Sequence, residues 1–175
     1  MKHLLVVLFA VLVTVGLFAQ SGERFGIGIG GVSMVLAIGE KAPLGIGGVL
    51  TAGLSRVPLR FGLSGISIGE VFFASLSADY LLLQSRGQGA FGWYLGAGLV
   101  GHVMIHPDDF DMEPWLGIRL PLGIRIRTLK SGRLEVYGEV CPEWTPLIYD
   151  NEESEFDFSP KMIVIEPSLG VRYWF

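Results

Sequence analysis

Cysteine is almost missing from this 175-residue chain: Cys141 stands alone, so no intramolecular disulfide can staple the fold. Charge is sparse and tilts acidic, 13 Lys and Arg against 17 Asp and Glu, and the net of −4 disfavours nucleic acid as a partner. Beyond residue 18 no apolar run is long enough for a membrane-spanning helix, although half of the residues are hydrophobic. Apolar content is therefore spread through short segments, and its period decides the fold class.

The one long apolar run lies at the start. Met1-Lys2-His3 is a short basic opening, Leu4 to Phe18 is continuously apolar, and Ala19 is a small residue before Gln20. The run is shorter than the roughly 20 residues that span a bilayer as a helix, so residues 1–19 read as a cleavable signal peptide. No cysteine near that cut could take a lipid anchor. Residues 20–175 are then expected to form one exported domain.

At the other end the chain closes on a strictly alternating stretch. Ile163, Ile165, Pro167, Leu169, Val171, Tyr173 and Phe175 share one face, and Glu166, Ser168, Gly170, Arg172 and Trp174 the other. Turn-rich breaks delimit seven further segments, about 24–37, 43–54, 57–66, 71–84, 91–105, 115–128 and 133–147, with the last at 161–175. An even number with both ends on one side suits a single-chain barrel that crosses a membrane with about 9–11 tilted residues per strand. Residues 55–56, 85–90 and 129–132 read as inner turns, and 38–42, 67–70, 106–114 and 148–160 as outer connections.

The sixth segment has two distinct faces. Leu116, Ile118, Leu120, Leu122, Ile124 and Ile126 make one aliphatic row, opposite Arg119, Arg125 and Arg127. Turning those arginines to lipid would cost about 2–4 kcal/mol each near the bilayer midplane, so they are expected in the lumen. The seventh segment sets Glu135, Glu139 and Glu143 on its own polar face, with Cys141 between them as a packed thiol. Buried charges need partners, and a guanidinium fork matches a carboxylate. An ionic ladder is expected among Arg119, Arg125, Arg127, Glu135, Glu139, Glu143, Glu166 and Arg172. Small groups fill the opposite wall: Gly26, Gly28, Gly30, Gly45, Gly47, Thr51, Gly62, Ser64, Ser75 and Ser77, joined by Arg60 and Asp79. Such a lumen is plugged rather than open. Pro121, Pro142 and Pro167 interrupt the ladder, and local bulges are expected there.

The same alternation also describes a soluble calyx, with the aliphatic rows enclosing an apolar ligand. The Gly- and Ser-rich polar face, aromatics near strand ends (Phe91, Trp93, Trp144, Tyr149, Tyr173, Phe175) and the terminal Phe175 favour the membrane arrangement.

In strand number, export signal and terminal aromatic, residues 24–175 resemble the small outer-membrane β-barrel family, the OmpA and OmpX kind. The Gly117-to-Gly123 stretch, the acid-bearing strand after it and the Gly170-Val-Arg-Tyr-Trp-Phe175 finish carry the resemblance. It implies an all-β, eight-stranded antiparallel up-and-down transmembrane barrel in the bacterial outer membrane. It also implies contact with outer-membrane lipid and assembly by the outer-membrane insertion machinery through the C-terminal strand, with Tyr173 and Phe175 as the insertion signature. It brings no catalytic residues and no cofactor.

Residues that invite chemistry have plainer readings beside them. Gly96-Ala-Gly-Leu-Val-Gly101 spells GxGxxG, but a phosphate-binding turn lies between a strand and a helix, and this one falls inside a strand pattern. His102 and His106, followed by Asp108, Asp109 and Asp111, offer metal-ligand types at the outer end of the fifth strand, where a solvated acidic loop is the simpler reading. His102 is also the one tempting base for a lipid-modifying enzyme, which needs a nucleophile and a carboxylate at the rim. Asp150, Glu152, Glu153, Glu155 and Asp157 surround Phe156 and Phe158 in a surface acidic loop, either a solvated cap or a site for divalent cations or an extracellular partner. The expected duty is structural, envelope-stabilising or surface-interacting, with no enzyme activity; a narrow pore and a lipid enzyme are the rivals.

Overall fold

The computed structural model describes residues 25–37, 42–54, 57–85, 90–106, 112–128, 133–150, 155–158 and 162–175. The expected signal peptide lies outside them. Among the described residues ten strands are present: β1 (Phe25–Ala37), β2 (Leu44–Leu54), β3 (Leu59–Ile68), β4 (Val71–Gln84), β5 (Phe91–Ile105), β6 (Met112–Arg119), β7 (Leu122–Thr128), β8 (Leu134–Asp150), β9 (Glu155–Phe158) and β10 (Ile163–Trp174). They form eight staves, because β6 and β7 are halves of one crossing and β9 leads into β10. Each stave pairs antiparallel with its neighbour in sequence. Closure comes from β10, which pairs with β1 along Gly26↔Trp174 to Ala37↔Ile163 and with β8 along Leu134↔Tyr173 to Trp144↔Ile163.

Turn chemistry fits this order. Between β3 and β4 the chain reverses in two residues, and Gly69 at the first of them has φ of 60°, the left-handed backbone that primed hairpin turns require. Both described ends of the sheet, Phe25 and Phe175, meet at one rim, where Phe175 N donates to Phe25 O at 2.8 Å. At the opposite rim β8 and β9 rise as a hairpin, Leu147↔Phe158 to Asp150↔Glu155. The taller excursions of such barrels are extracellular, so the rim holding both ends is periplasmic.

Pro121, Pro142 and Pro167 do not bulge the sheet, contrary to the expectation from sequence. Register runs unbroken across Pro142 and Pro167 on β10, and Gly98↔Arg119 and Leu95↔Leu122 keep one register across Pro121 on β5. Pro142 and Pro121 still offer their carbonyls: Leu120 N donates to Pro142 O at 2.9 Å and Gly96 N to Pro121 O at 2.8 Å. One ladder bond is lost at each and the pairing stays put. The irregularities fall between Leu81 and Leu83 on β4 and between Leu116 and Ile118 on β6, the second opposite Thr145 and Pro146 of β8.

Side-chain direction settles the choice between membrane barrel and calyx. Leu120, Ile124 and Ile165 are 51%, 52% and 40% exposed on the outer wall. Ile29, Leu50, Leu63, Leu76, Leu99 and Leu169 continue this belt around the barrel. An apolar girdle of that extent is a lipid-facing surface, and Phe91, Trp93, Trp144, Tyr173 and Phe175 lie exposed along it. The protein is a transmembrane β-barrel.

The lumen is layered. Its outer part is apolar: Val32, Met34, Leu36, Ile66, Phe73, Trp115 and Val164 pack into one buried cluster, with Phe73 and Trp115 ring centroids 5.3 Å apart. Below it the inward positions turn small or charged.

A candidate functional site in the barrel lumen

The middle layer is built from inward positions of five staves. Asp79 projects from β4, Arg60 from β3, Arg119 from β6, Glu139 and Glu143 from β8 and Glu166 from β10, all at most 7% exposed. Glycines make the room. A Cβ at Gly98 would strike the Asp79 carboxylate, one at Gly123 the Tyr94 ring and one at Gly62 the Ser77 hydroxyl.

Arg119 is the hub. Its guanidinium lies 3.2 Å from Asp79, 3.5 Å from Glu139, 3.3 Å from Glu143 and 3.9 Å from Glu166. Arg60 Nη1 reaches Glu139 Oε2 at 2.7 Å, and Tyr94 donates its hydroxyl to the same oxygen at 2.7 Å. The Arg60 guanidinium also stacks 4.6 Å from the Tyr94 ring centroid. Between these groups is a cavity of about 20 Å³, lined by Arg60, Asp79, Arg119, Glu139, Glu166 and Ser168 among others, with room for about one water.

Toward the periplasmic mouth the balance reverses. Glu135 is fully buried between Arg172 Nη1 at 2.7 Å and Arg127 Nε at 3.2 Å. Arg172 also donates to Thr51 Oγ1 at 3.1 Å. Arg125 meets no carboxylate among the described residues and instead donates to Gln84 Oε1 at 3.2 Å and to the Ser85 carbonyl at 3.3 Å.

Of the eight residues singled out for an ionic ladder, the structure thus brings seven into ion pairs and leaves Arg125 outside them. Sequence reasoning placed Arg60 and Asp79 inward but gave them no partners. Their partners stand across the lumen, and only closure of the barrel brings them into reach.

His102 is in a different place from the one its sequence position suggested. It is 1% exposed inside the lumen, not on the lipid-facing rim. Its Nε2 lies 2.8 Å from Glu143 Oε2 and its Nδ1 2.7 Å from the Ser75 hydroxyl, both within hydrogen-bond distance. Serine, histidine and glutamate in hydrogen-bond sequence resemble a nucleophile, base and orienting acid. Here they are roofed by Trp115, whose ring centroid is 6.4 Å from the imidazole. The period-two pattern missed this constellation because its members come from β4, β5 and β8.

Other sequence candidates are simply located. Gly96, Gly98 and Gly101 sit mid-strand in β5, and no helix occurs among the described residues to cradle a phosphate. Cys141 is a buried free thiol facing inward beside Glu166 in the β8–β10 register. His106 is half-buried, whereas Asp108, Asp109 and Asp111 lie outside the described residues. No group of three or more metal-ligating side chains occurs among the described residues. The segment read as an acidic loop is partly strand: Asp150 ends β8 and pairs with Glu155 of β9, Asp157 pairs with Ile148, and Glu152 and Glu153 lie outside the described residues. Alternating acids and aromatics (Glu155-Phe156-Asp157-Phe158) suit a strand as well as a loop, which is the physical reason for the difference. Phe158 rests edge-on against Trp144 at 6.3 Å.

No protein-family model and no curated protein sequence matches the chain. Solved structures do. Neisserial surface protein A shares 15% identity at a TM-score of 0.64, with 86% of this chain and 97% of that one covered. Ail, the attachment invasion locus protein of Yersinia pestis, shares 13% identity at a TM-score of 0.50 over 87% of this chain and 99% of that one. With the eight staves, the lipid-facing girdle and the charged interior, this is the fold of the small outer-membrane β-barrels of the OmpA and OmpX kind.

Proposed function

We propose that this protein is a passive outer-membrane barrel whose lumen is plugged, serving the envelope as a structural element and the surface as an attachment point. The apolar roof carries the first part. Val32, Met34, Phe73, Trp115 and Val164 close the outer lumen above a charged layer whose members are paired with one another. An ion crossing would have to leave water, break buried ion pairs and pass a dry constriction, each step costing several kcal/mol. Purified protein in planar bilayers is expected to give no steady conductance; sustained single-channel steps from the wild type would replace this reading with a narrow pore.

The surface part rests on the β8–β9 hairpin, which extends the outer end of β8 with Asp157 and Phe158 exposed. Ail, a barrel of the same fold, is named for attachment and invasion. Acidic side chains interleaved with aromatics suit divalent cations or a basic extracellular partner. Deleting residues 151–158 should remove such binding from intact cells and leave heat-modifiable gel mobility in place. Binding that survives the deletion would reduce the hairpin to a cap.

We propose no catalytic role. The Ser75-His102-Glu143 relay lies under Trp115 and away from the lipid face. Refolded wild-type protein is expected to show no turnover of lipid A or phospholipid, and turnover abolished by His102→Ala would reverse that. Residues 163–175 are proposed to present Tyr173 and Phe175 to the insertion machinery, supported by the exposed aromatic face on which the two rings meet at 5.0 Å.

A further inference from the structure

Charge in the lumen is separated along the barrel axis. In the middle layer four carboxylates, Asp79, Glu139, Glu143 and Glu166, face two guanidiniums, Arg60 and Arg119. At the periplasmic mouth three guanidiniums, Arg125, Arg127 and Arg172, stand against one carboxylate, Glu135, which pairs with Arg127 and Arg172. The two layers balance each other over the whole lumen, but a solute entering from the periplasm meets only the inner one.

That inner layer is open to a visitor. The Arg127 side chain is 44% exposed even though its Nε holds Glu135. Arg125 uses one nitrogen on neutral acceptors. Trp174 lies between Arg127 and Arg172, at 5.7 Å and 5.9 Å from their guanidinium carbons, and its buried indole N–H finds no acceptor among the described residues. Arg133, exposed at the same rim, is tied to this strand because its carbonyl accepts from Trp174 N at 2.8 Å. A surplus of donors and of two positive charges, walled by low-dielectric protein and wet on one side, focuses on an oxyanion.

The geometry points to an anion vestibule at the periplasmic mouth, in which Arg125 and Arg127 bind a phosphate group with Trp174 as an additional donor. Phosphate is the class that fits because its charge near neutral pH, roughly −1.5 to −2, matches the surplus, whereas a carboxylate neutralises half of it. Guanidinium forks on adjacent inward positions of β7 present paired N–H groups to its oxygens. The site ends upward against Arg60, Glu139 and the apolar roof, so it holds an anion without conducting it. This inference does not depend on the outer hairpin or on the surface role proposed above.

The phosphate has two sources, a free phosphate in the periplasm or a phosphomonoester lipid headgroup of the inner leaflet. Folded protein in an uncharged detergent is titrated with inorganic phosphate by calorimetry, and the protein in nanodiscs of phosphatidylcholine with and without phosphatidic acid is followed by the ³¹P line of the headgroup. Binding of inorganic phosphate that weakens at least tenfold in R125Q/R127Q and severalfold in Trp174→Phe supports the site with a free anion. Perturbation of phosphatidic acid alone, lost in the same variants, supports it with the headgroup. Heat-modifiable mobility confirms that each variant is folded; if R125Q/R127Q fails to fold, Trp174→Phe, which keeps the ring, decides. Wild-type protein that binds neither probe, or variants that bind as the wild type does, overturn it.

Discussion

Arg60 on β3 and Glu139 on β8 meet at 2.7 Å across the lumen although their staves share no ladder. Each is at most 7% exposed, so the pair has left water at a cost that only mutual contact offsets. Arg60→Leu should therefore destabilise the barrel by about 3–5 kcal/mol, because Glu139 keeps only Arg119 at 3.5 Å and the Tyr94 hydroxyl. The double variant R60L/E139L should recover a good part of that loss, since no buried charge is then stranded. Urea midpoints for folding into lipid vesicles read both numbers. Additive losses in the double variant would show that the two side chains do not act as a pair.

Interior glycines are predicted to tolerate no side chain where a bulky neighbour fills the space. A Cβ at Gly123 would run into the Tyr94 ring and push it off Glu139, so Gly123→Ala is expected to cost about 1–3 kcal/mol by overpacking. Gly31 faces lipid with nothing within 4 Å of such a Cβ, and Gly31→Ala should be neutral or slightly stabilising. The two substitutions are chemically identical, so thermal mobility shifts on the same gel isolate the effect of the neighbour. Equal shifts would refute the assignment of faces.

How much of this was legible in the sequence follows from what period-two reading can see. It found each stave, because Leu116 to Ile126 and Ile163 to Phe175 alternate without a break, and it turned the right face to lipid. It did not see the apolar roof: from Val32 to Leu36 both faces of β1 are largely apolar, so alternation no longer marks the inside. Nor did it see Arg60–Glu139 or Ser75-His102-Glu143, since neighbours across a closed lumen depend on curvature rather than on spacing along the chain. The prolines were misjudged for a related reason. A missing N–H removes one bond on one side of a strand, and an intact ladder on the other side holds the register.

A charge on the outer wall should discriminate strongly against the membrane-exposed half of the pattern. Leu169 is 67% exposed, paired with Gly31 on β1 and Gly138 on β8 well inside both ladders. Leu169→Arg is expected to lose about 2–4 kcal/mol, since the guanidinium would sit in hydrocarbon. Arginine at Phe175, exposed at the rim beside Tyr173, should cost no more than about 1 kcal/mol. Refolding yields into vesicles of fixed lipid composition compare the two. A loss at Leu169 no larger than that at Phe175 would mean that the belt is not at the depth assigned.

The solitary thiol provides the sharpest probe of the closed interior. Cys141 is fully buried between Glu139 and Glu143 on β8, below the Trp115 roof and above the Glu135 layer. In the folded barrel a water-soluble maleimide should leave it unmodified, because the reagent is larger than the cavity of about 20 Å³ beside Arg119. Heating in detergent opens the barrel, and complete labelling of the single site is then expected. The double variant F73A/W115A removes the two largest rings of the roof at a cost of about 3–5 kcal/mol each, and in whichever fraction remains folded it should admit the reagent from the outer side. Rapid modification of Cys141 in the folded wild type would show that water and solutes already occupy the lumen, and the reading of a plugged barrel would give way to that of a pore.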